Sequence, residues 1–301
     1  MKAYTAAEKK VEIQHFGLST DYQSIAANGT ASPNVEDSIT VDLRNINLQY
    51  LLSYTLAGEA ISVQGPLTGW ATLYGLFTQP MVEAEVAIPQ AGLNGAYLGD
   101  LNAKAYLNRE EKTIIIEGEA IDSTNHKVVD VKGKVIPATK WWGLDIHCDS
   151  VDISLIDFWT HPFFSNPQGR AFGDLQVFGQ DHKTWVTAAV LGKDAQVTVP
   201  QIGATFFFSD SVFMDTSRSR MLSTSIRIPN VRLRDIEGNR GTFSGIITHN
   251  NFQNFKYDLN AQVNNMLALN LPYDPQAMFY GKVYGTGNVN IKGDDYECRI
   301  G

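Results

Sequence analysis

The stretch GWATLYG at residues 69–75 decides the fold class, because it places alternating apolar residues between two glycines. The same arrangement returns in GDLQVFG at 173–179 and in GNVNIKG at 287–293. The first glycines are 104 residues apart in the first interval (173 minus 69) and 114 in the second (287 minus 173). Such alternation is typical of β-strands, and near-equal spacing indicates an internal repeat. The sequence therefore predicts a periodic β structure.

The segment before each of these stretches also follows one pattern. An alternating run gives way to apolar residues at closer, helix-like spacing, and a glycine-rich return follows. The three segments are VDLRNINLQYLLSYTL (41–56), DSVDISLIDFWTHPFF (149–164) and VNNMLALNLPYDPQAMFY (263–280). This pattern predicts long strands that are interrupted once per repeat by a short crossing segment.

A repeat array grows around one continuous core, so the chain is predicted to form a single segment over residues 1–301. Approximate repeats are predicted at 39–143 and 144–256, after the end of a preceding unit at 1–38 and before a partial repeat at 257–301. The predicted fold class is all-β: an elongated, curled (taco-like) antiparallel β-groove built from repeats, with short crossing segments.

The composition favours sheet and argues against nucleic-acid binding. The chain has 25 glycines, 12 tyrosines and 15 phenylalanines, and charged residues make up only 19%, which is typical of β proteins. The formal net charge is −8, and basic residues are scattered except in RSR (218–220) and RLRD (232–235). Because a nucleic-acid binder needs a concentrated basic face, no nucleic-acid partner is expected.

The termini and the cysteines bear on the compartment. No run reaches the ~18 apolar residues of a membrane helix, and residues 1–20 lack the apolar core of a signal peptide. Neither end has the polar cap that a complete repeat array needs, so the chain is expected to be a piece of a longer protein. Cys148 and Cys298 are far apart in sequence and are expected to be two isolated thiols.

Alternation gives the predicted sheet an apolar face and a polar face. Val41 and Leu43, for example, alternate with Asp42 and Arg44. No predicted helix is long enough to cover the apolar face, so the sheet must close as a sandwich or barrel or curl into an open groove. Small residues on this face leave room near its centre and favour the groove, although the closed forms stay open. These small residues are Ala71, Ala84, Ala103, Ala105, Ala204 and Ala261.

The residues predicted to line the groove share one property, because each is an apolar residue on the inward side of an alternating run. They are Leu43, Val63, Ala71, Leu73, Val86, Ile116, Val131, Ile146, Leu175, Val177, Ala204, Phe206, Ala261, Val289 and Ile291. Trp70 has the opposite parity and is predicted to face outward.

No catalytic site, metal site or cofactor is expected. Asp145, His147 and Asp149 share one strand face, a spacing that could ligate a metal. No fourth ligand is implied nearby, so an exposed polar face is the simpler interpretation. His161 and His249 are expected in loops. Nucleophile elbows, phosphate loops and paired-cysteine motifs are absent from the sequence.

The NGT tripeptide at 28–30 matches the acceptor pattern for glycosylation. Asn-Gly is also a preferred hairpin turn. A turn is therefore predicted at these residues.

The phrase NMLALNLPYDPQAMFYGKVYGTGNVNIKG at 265–293 resembles the TamB family, the translocation and assembly module proteins of Gram-negative envelopes, in the version found in Bacteroidetes-like bacteria. LPYDPQAMFYG followed by a G-x-G-x-V-x-I-x-G strand is its most specific part. The stretches at 41–75 and 151–179 look like looser copies, so the resemblance covers essentially the whole chain.

This resemblance implies a function and a compartment. Members of the family are periplasmic β-grooves of the AsmA-like, bridge-type lipid transfer class, in which repeating units carry phospholipid. The chain is then expected to be an internal periplasmic fragment that holds phospholipid acyl chains. The full-length protein would have an inner-membrane anchor and an outer-membrane barrel partner. Both the anchor and the conserved C-terminal region that meets this partner are expected to be missing here.

Three other classes stay open. A secreted carbohydrate-binding or adhesin module could use exposed tryptophans among Trp70, Trp141, Trp142, Trp159 and Trp185. A chaperone-like factor could assemble outer-membrane proteins by strand addition at open β edges. An outer-membrane barrel would need strands of ~9–11 residues, and many strands here are expected to be shorter.

Overall fold

The protein is all-β in a computed structural model. The structure describes residues 2–5, 10–49, 62–157, 164–180, 183–216, 223–250, 253–273, 275, 280–294 and 297–301. These residues form nineteen strands, with short 3₁₀ helices at Pro137–Thr139 and Ile153–Ile156. Every pairing described below is antiparallel, so the predicted all-β, antiparallel fold class is confirmed. The described part of the chain contains no helix long and apolar enough to cross a membrane.

The chain divides into two compact units. Unit 1 comprises residues 1–146 and 178–182, and unit 2 comprises 147–177 and 183–301. Strand β11 (Trp141–Asp152) contributes residues to both units. The predicted single segment and its repeat boundaries stay predictions.

Unit 1 contains strands that pair in chain order with one exception. Strand β4 pairs directly with β6, while the two-residue β5 pairs with β7. The strands are β1 (Lys2–Thr5), β2 (Lys10–Ser19), β3 (Ser24–Ala31), β4 (Ser38–Asn47), β5 (Val63–Gln64), β6 (Pro66–Tyr74), β7 (Met81–Leu93), β8 (Ala96–Asn108), β9 (Thr113–Ile121) and β10 (Lys127–Ile136).

Unit 2 contains the longer strands. From β13 to β19 each strand pairs with the next one in the chain. The strands are β12 (Ser165–Gln180), of which Phe178–Gln180 belong to unit 1, β13 (Lys183–Val199), β14 (Ala204–Thr216), β15 (Ser223–Asp235), β16 (Arg240–Asn250), β17 (Gln253–Leu271), β18 (Gly281–Asp294) and β19 (Cys298–Ile300).

Three expectations about local structure need correction. Most strands have nine residues or more, and β17 has 19, so the expectation of many shorter strands is wrong. Asn28–Thr30 lies inside β3 and is not a turn. His249 lies in β16 and is only 3% exposed, so its expected loop position is wrong as well. Burial lowers the pKa of its imidazole, which favours the neutral ring.

The crossing segments lie largely outside the described residues. Residues 50–61, 158–163 and 276–279 belong to this undescribed part. What is described of the second segment is a 3₁₀ helix whose Ile153 and Leu155 are buried. His161 and Trp159 also lie outside the described residues.

Strands of both units carry β-bulges of one kind. One residue with a left-handed φ between 49° and 53° interrupts the register, so that apolar residues three positions apart lie on the same face. The residues are His15, Asn45, Gln90, Asp194 and Asn265. Bulges bend a strand and increase its twist, so they give the sheet curvature.

A polar side chain on the neighbouring strand satisfies the backbone N–H at four of these bulges. A backbone N–H that leaves the ladder at a bulge needs another acceptor. The pairs, from nitrogen to acceptor oxygen, are Asn45 to Thr68 Oγ1 (3.1 Å), Gln90 to Asp100 Oδ1 (2.8 Å), Asp194 to Ser209 Oγ (2.9 Å) and Asn265 to Thr286 Oγ1 (2.9 Å). The bulges are therefore supported by their neighbours.

The second half of β17 extends beyond its partner β16, and other segments of unit 2 satisfy its edge. The Leu267 nitrogen donates to Asp235 Oδ2 (2.8 Å), and the Asn270 nitrogen donates to the Ile202 carbonyl (2.8 Å). Ile202 belongs to the β13–β14 turn, and β15 and β16 lie between β14 and β17 in pairing order. The sheet of unit 2 must therefore curl to bring this turn onto β17.

Asp235 is the centre of this arrangement. It is 2% exposed and accepts from the nitrogens of Glu237 (2.9 Å) and Asn239 (2.8 Å), from Asn239 Nδ2 (2.9 Å) and from the Leu267 nitrogen. Burial alone would raise the pKa of the Asp235 carboxyl. The hydrogen bonds outweigh burial, so the pKa lies below its ordinary value.

We expect Asp235→Asn to lower the free energy of unfolding by about 2 to 3 kcal/mol, because an amide NH₂ would face two donors that now meet an oxygen. The depressed pKa makes this stabilisation fully present above the unfolded-state value of about 3.9, and it is lost as the pH falls through the folded-state pKa. Urea unfolding between pH 3 and 7 measures this difference. It should be constant above about pH 5 and shrink below pH 4, and Asp42→Asn, at an exposed position, serves as control. A difference that does not change with pH would contradict the assignment.

Candidate functional site

The apolar face of unit 1 is built from cross-strand rows of directly opposed residues. One row runs through β3, β4, β6, β7, β8, β9 and β10 and consists of Ala27, Val41, Ala71, Ala84, Ala105, Ile116 and Gly133. The adjacent row consists of Ile25, Leu43, Gly69, Val86, Ala103, Gly118 and Val131. The structure therefore brings five predicted lining residues of unit 1 into two neighbouring rows, and Leu73 lies opposite Ile39 and Val82 one step beyond them.

Small side chains dominate the middle of these rows. Ala71, Ala84 and Ala105 lie opposite one another on three successive strands, and Ala103 and Gly118 lie beside them in the next row. Because directly opposed residues lie about 5 Å apart, their methyl groups form a shallow floor. The larger Val and Ile side chains flank this floor.

The predicted lining residues are neither core nor surface. Ala204 is buried at 1% exposure, and all the other predicted lining residues are half-buried. A closed interior would bury such residues fully, and an ordinary surface would place polar residues there. Partial exposure of a continuous apolar row is the property expected of an open groove wall. That these residues contact a ligand stays a prediction.

The opposite face of the same strands is charged. Across β4, β6, β7, β8, β9 and β10 the directly opposed residues are Asp42, Trp70, Glu85, Lys104, Glu117 and Lys132. Lys104 Nζ lies 2.9 Å from Glu85 Oε1, and a hydrogen bond and the charge of Glu85 raise the pKa of Lys104. Trp70 is 38% exposed, as its parity predicts. The two faces therefore differ as sharply as the alternation indicates.

One end of the apolar face in unit 1 has a small core of its own. Ile46, Leu67, Ile88 and Ala91 are buried together, and the predicted lining residues Leu43, Val63 and Val86 pack against them. Ile46 and Ala91 escape a strict alternation because the bulges at Asn45 and Gln90 shift the parity by one residue. Asn45 and Gln90 are polar residues that interrupt apolar runs. This interruption is the sequence signal that could have located Ile46 and Ala91.

Unit 2 has the same kind of face. Ala261 lies between Phe243 and Val289, and Leu259 lies opposite Ile291. Ala204 and Phe206 lie opposite Val199 and Val197. Leu175 and Val177 are half-buried on β12, and Ile146 is half-buried on β11, at the end of unit 1. The predicted lining residues on β14, β17 and β18 thus lie opposite other apolar residues, whereas Ile146, Leu175 and Val177 are placed only by their half-burial.

Asp145, His147 and Asp149 share a strand face, and His147 contacts a carboxylate outside this set. His147 Nδ1 lies 2.7 Å from Asp174 Oδ1 on β12, so His147 contacts a carboxylate on the neighbouring strand. Among the residues that the structure describes, no group of three potential metal ligands occurs. Cys148 is a free cysteine, and burial, followed by the charge of Asp174, raises the pKa of its thiol to about 11. The Cys148 thiol is therefore protonated at neutral pH.

Among the residues that the structure describes, no second exposed tryptophan accompanies Trp70. Trp141, Trp142 and Trp185 are half-buried. Trp70 is thus the one exposed tryptophan of the described residues, and its directly opposed neighbours are Asp42 and Glu85. No observation therefore favours the carbohydrate-binding alternative.

Comparison with known proteins finds one similarity. Residues 230–301, which include the end of β15 and all of β16 to β19, match the family model described as the TamB C-terminal domain. The prediction that the chain lacks the family's conserved C-terminal region is wrong for residues 230–301, because they match the model of that domain. No curated protein and no solved structure matches the chain.

Proposed function

We propose that this chain is a TamB-like β-groove segment that conducts phospholipids, because residues 230–301 match the TamB C-terminal domain model and that family acts in outer-membrane biogenesis and lipid transport. In this role it works in the periplasm, between the inner and outer membranes, and supports outer-membrane biogenesis. Its direct partners are phospholipid acyl chains. The full-length protein is also proposed to have an inner-membrane anchor and an outer-membrane barrel partner.

The half-buried apolar rows are the observation that supports this proposal most strongly. Each buried methylene contributes ~0.8 kcal/mol, so a 16-carbon acyl chain on the floor formed by Ala71, Ala84 and Ala105 could gain on the order of 10 kcal/mol before entropic losses. Because hydrophobic burial is non-directional, this gain favours no single position along the rows. A groove of this kind accepts many lipids and holds none in a fixed position, as transfer requires.

The proposal requires no chemistry at the site. Lipid transfer breaks and forms no covalent bond, so it needs no nucleophile, base, metal or cofactor. The protein is therefore proposed to be a carrier and not an enzyme. The lipid headgroup would project through the open side of the groove into water, where it needs no dedicated pocket.

The substitution Ala84→Phe tests the groove directly. The phenyl ring would fill the floor between Ala71 and Ala105, and we expect bound phospholipid to fall about tenfold, because two methylenes that lose their contacts cost ~0.8 kcal/mol each. Native mass spectrometry after mild extraction counts the co-purified phospholipid. Glu85→Phe is the matched control, because it places the same ring on the polar face.

The stability of the Ala84→Phe protein separates an open groove from a closed interior. Overpacking a closed core costs about 1 to 3 kcal/mol, whereas an open floor accepts the ring with little change. Equal phospholipid content in both variants, or a large loss of stability in Ala84→Phe alone, would contradict the proposal.

Assembly of outer-membrane proteins by strand addition at open β edges stays a second proposal. The lipid measurement distinguishes the two functions, because strand addition does not use the apolar floor.

A further inference from the structure

The polar face of unit 2 carries a concentration of arginine that is unusual for a chain with a net charge of −8. Arg232 and Arg234 lie on β15, and Arg240 begins β16 directly opposite Arg234. All three side chains are exposed. Like charges that lie directly opposite each other destabilise a sheet, so the pairing of Arg234 with Arg240 has an electrostatic cost.

No carboxylate of the described residues relieves this cost. Neither Arg234 nor Arg240 forms an ion pair within the described part of the chain. The two acids of the connecting turn are engaged elsewhere, because Asp235 is buried with its hydrogen bonds and Glu237 contacts Lys282 Nζ (3.3 Å) and Tyr284 Oη (2.7 Å). The arginine pair therefore faces solvent without an ion-pair partner among the described residues.

Neighbouring side chains hold the arginines in place and add hydrogen-bonding groups. The Arg234 guanidinium lies 5.7 Å from the centre of the Phe207 ring, a cation–π contact that orients it. Arg232 Nε lies 3.4 Å from Asp210 Oδ2, and its side chain is still 81% exposed. Opposite Arg232 lies Thr242, which is followed by Gln262 on β17. Neutral donors thus border the cationic pair.

We propose that Arg234 and Arg240, assisted by Arg232, form a binding site for a phosphate group on the polar face of unit 2. The planar guanidinium presents paired N–H donors that match the oxygens of phosphate. A dianionic or monoanionic phosphate between the two side chains would remove the repulsion between them. The site is on the face opposite the apolar rows, so it is separate from the groove.

Two sources of phosphate fit this chemistry, a lipid headgroup at a membrane surface and a soluble phosphate ester or ion. The test therefore has two arms. In the first, binding of the 301-residue protein to vesicles of phosphatidylglycerol and phosphatidylcholine is measured by co-sedimentation. In the second, the thermal midpoint of the protein is measured in sodium phosphate and in sodium chloride of equal ionic strength.

The double variant Arg234→Gln/Arg240→Gln should bind the vesicles about 30-fold more weakly, because each basic residue near an anionic bilayer contributes about fivefold. It should also lose the rise in thermal midpoint that phosphate produces in the wild type. The matched control Lys104→Gln/Lys132→Gln removes the same charge from the polar face of unit 1 and should retain both properties. Removing the like-charged pair should not unfold the sheet. The phosphate measurement on the wild type also tests the site without any substitution.

The outcomes separate the sources. Vesicle binding without a phosphate effect indicates a lipid headgroup, and a phosphate effect without vesicle binding indicates a soluble ligand; both support the site if the arginine variant alone loses them. A wild type that responds in neither arm overturns the proposal. Equal loss in the arginine and lysine variants overturns it too, because binding would then depend on net charge alone.

Discussion

Replacing Val177 by aspartate is expected to reduce lipid loading and lipid transfer by the full-length protein at least about tenfold. Val177 lies half-buried on β12, on the inward side of the GDLQVFG stretch. A carboxylate there without a partner would be strongly disfavoured in contact with an acyl chain and would draw water onto the apolar face. Reconstituted transfer between donor and acceptor vesicles measures this effect.

Gln176→Asp is the matched control, because it adds the same charge one residue away on the exposed side. It should leave transfer nearly unchanged. Circular dichroism and thermal unfolding must first show that both variants are folded, since a buried charge can also lower stability by a few kcal/mol. Equal transfer by both folded variants would show that this face does not carry lipid.

Replacing Gly69 by alanine is expected to lower the free energy of unfolding by about 3 to 4 kcal/mol. Gly69 has a φ of 153° and lies opposite Leu43, where the bulge of β4 begins. Only glycine adopts this region readily, and a strained residue costs about 1 to 3 kcal/mol. A Cβ would also overlap the Glu85 carbonyl oxygen and lie 2.7 Å from the Val86 Cα. Chemical denaturation measures the loss.

Gly17→Ala provides the comparison within the same unit. A Cβ at Gly17 meets no atom within 4 Å, and its φ is not positive. This substitution should be neutral or should stabilise the protein by up to about 1 kcal/mol, because alanine has fewer unfolded conformations. If the two substitutions had the same effect, the backbone at Gly69 would not be under the constraint that the bulge imposes.

The glycine-bounded stretches illustrate what could be predicted from the sequence. Their alternation correctly indicates strands and assigns residues to faces, as Trp70 and Ala71 show. Strand period and side-chain polarity are local properties, so they can be read from neighbouring residues. The need for glycine at the start of the first two stretches is not a local property. At Gly69 and Gly173 a Cβ would overlap a carbonyl oxygen of the next strand, Glu85 and Ala189 respectively.

Interruptions of the alternation could not be predicted as reliably. Asn28–Thr30 has the composition of a turn but lies within β3, because Gly29 pairs with Ile13 at the bulge of β2. His249 follows a strand-like run and lies in β16, where its ring is 5.3 Å from that of Phe255. In both cases the neighbouring strand overrides the local preference.

The sequence by itself determined the all-β class and the apolar and polar faces, because period-two alternation requires only the chain's own order. The residues of the groove wall stay a prediction. Only the tertiary structure decided which residues meet across strands. It aligned Ala71, Ala84 and Ala105 into one floor, placed Asp235 on the edge of β17, and set Arg234 against Arg240. These juxtapositions depend on the register of each hairpin, and the bulges that set the register shift it by one residue at a time.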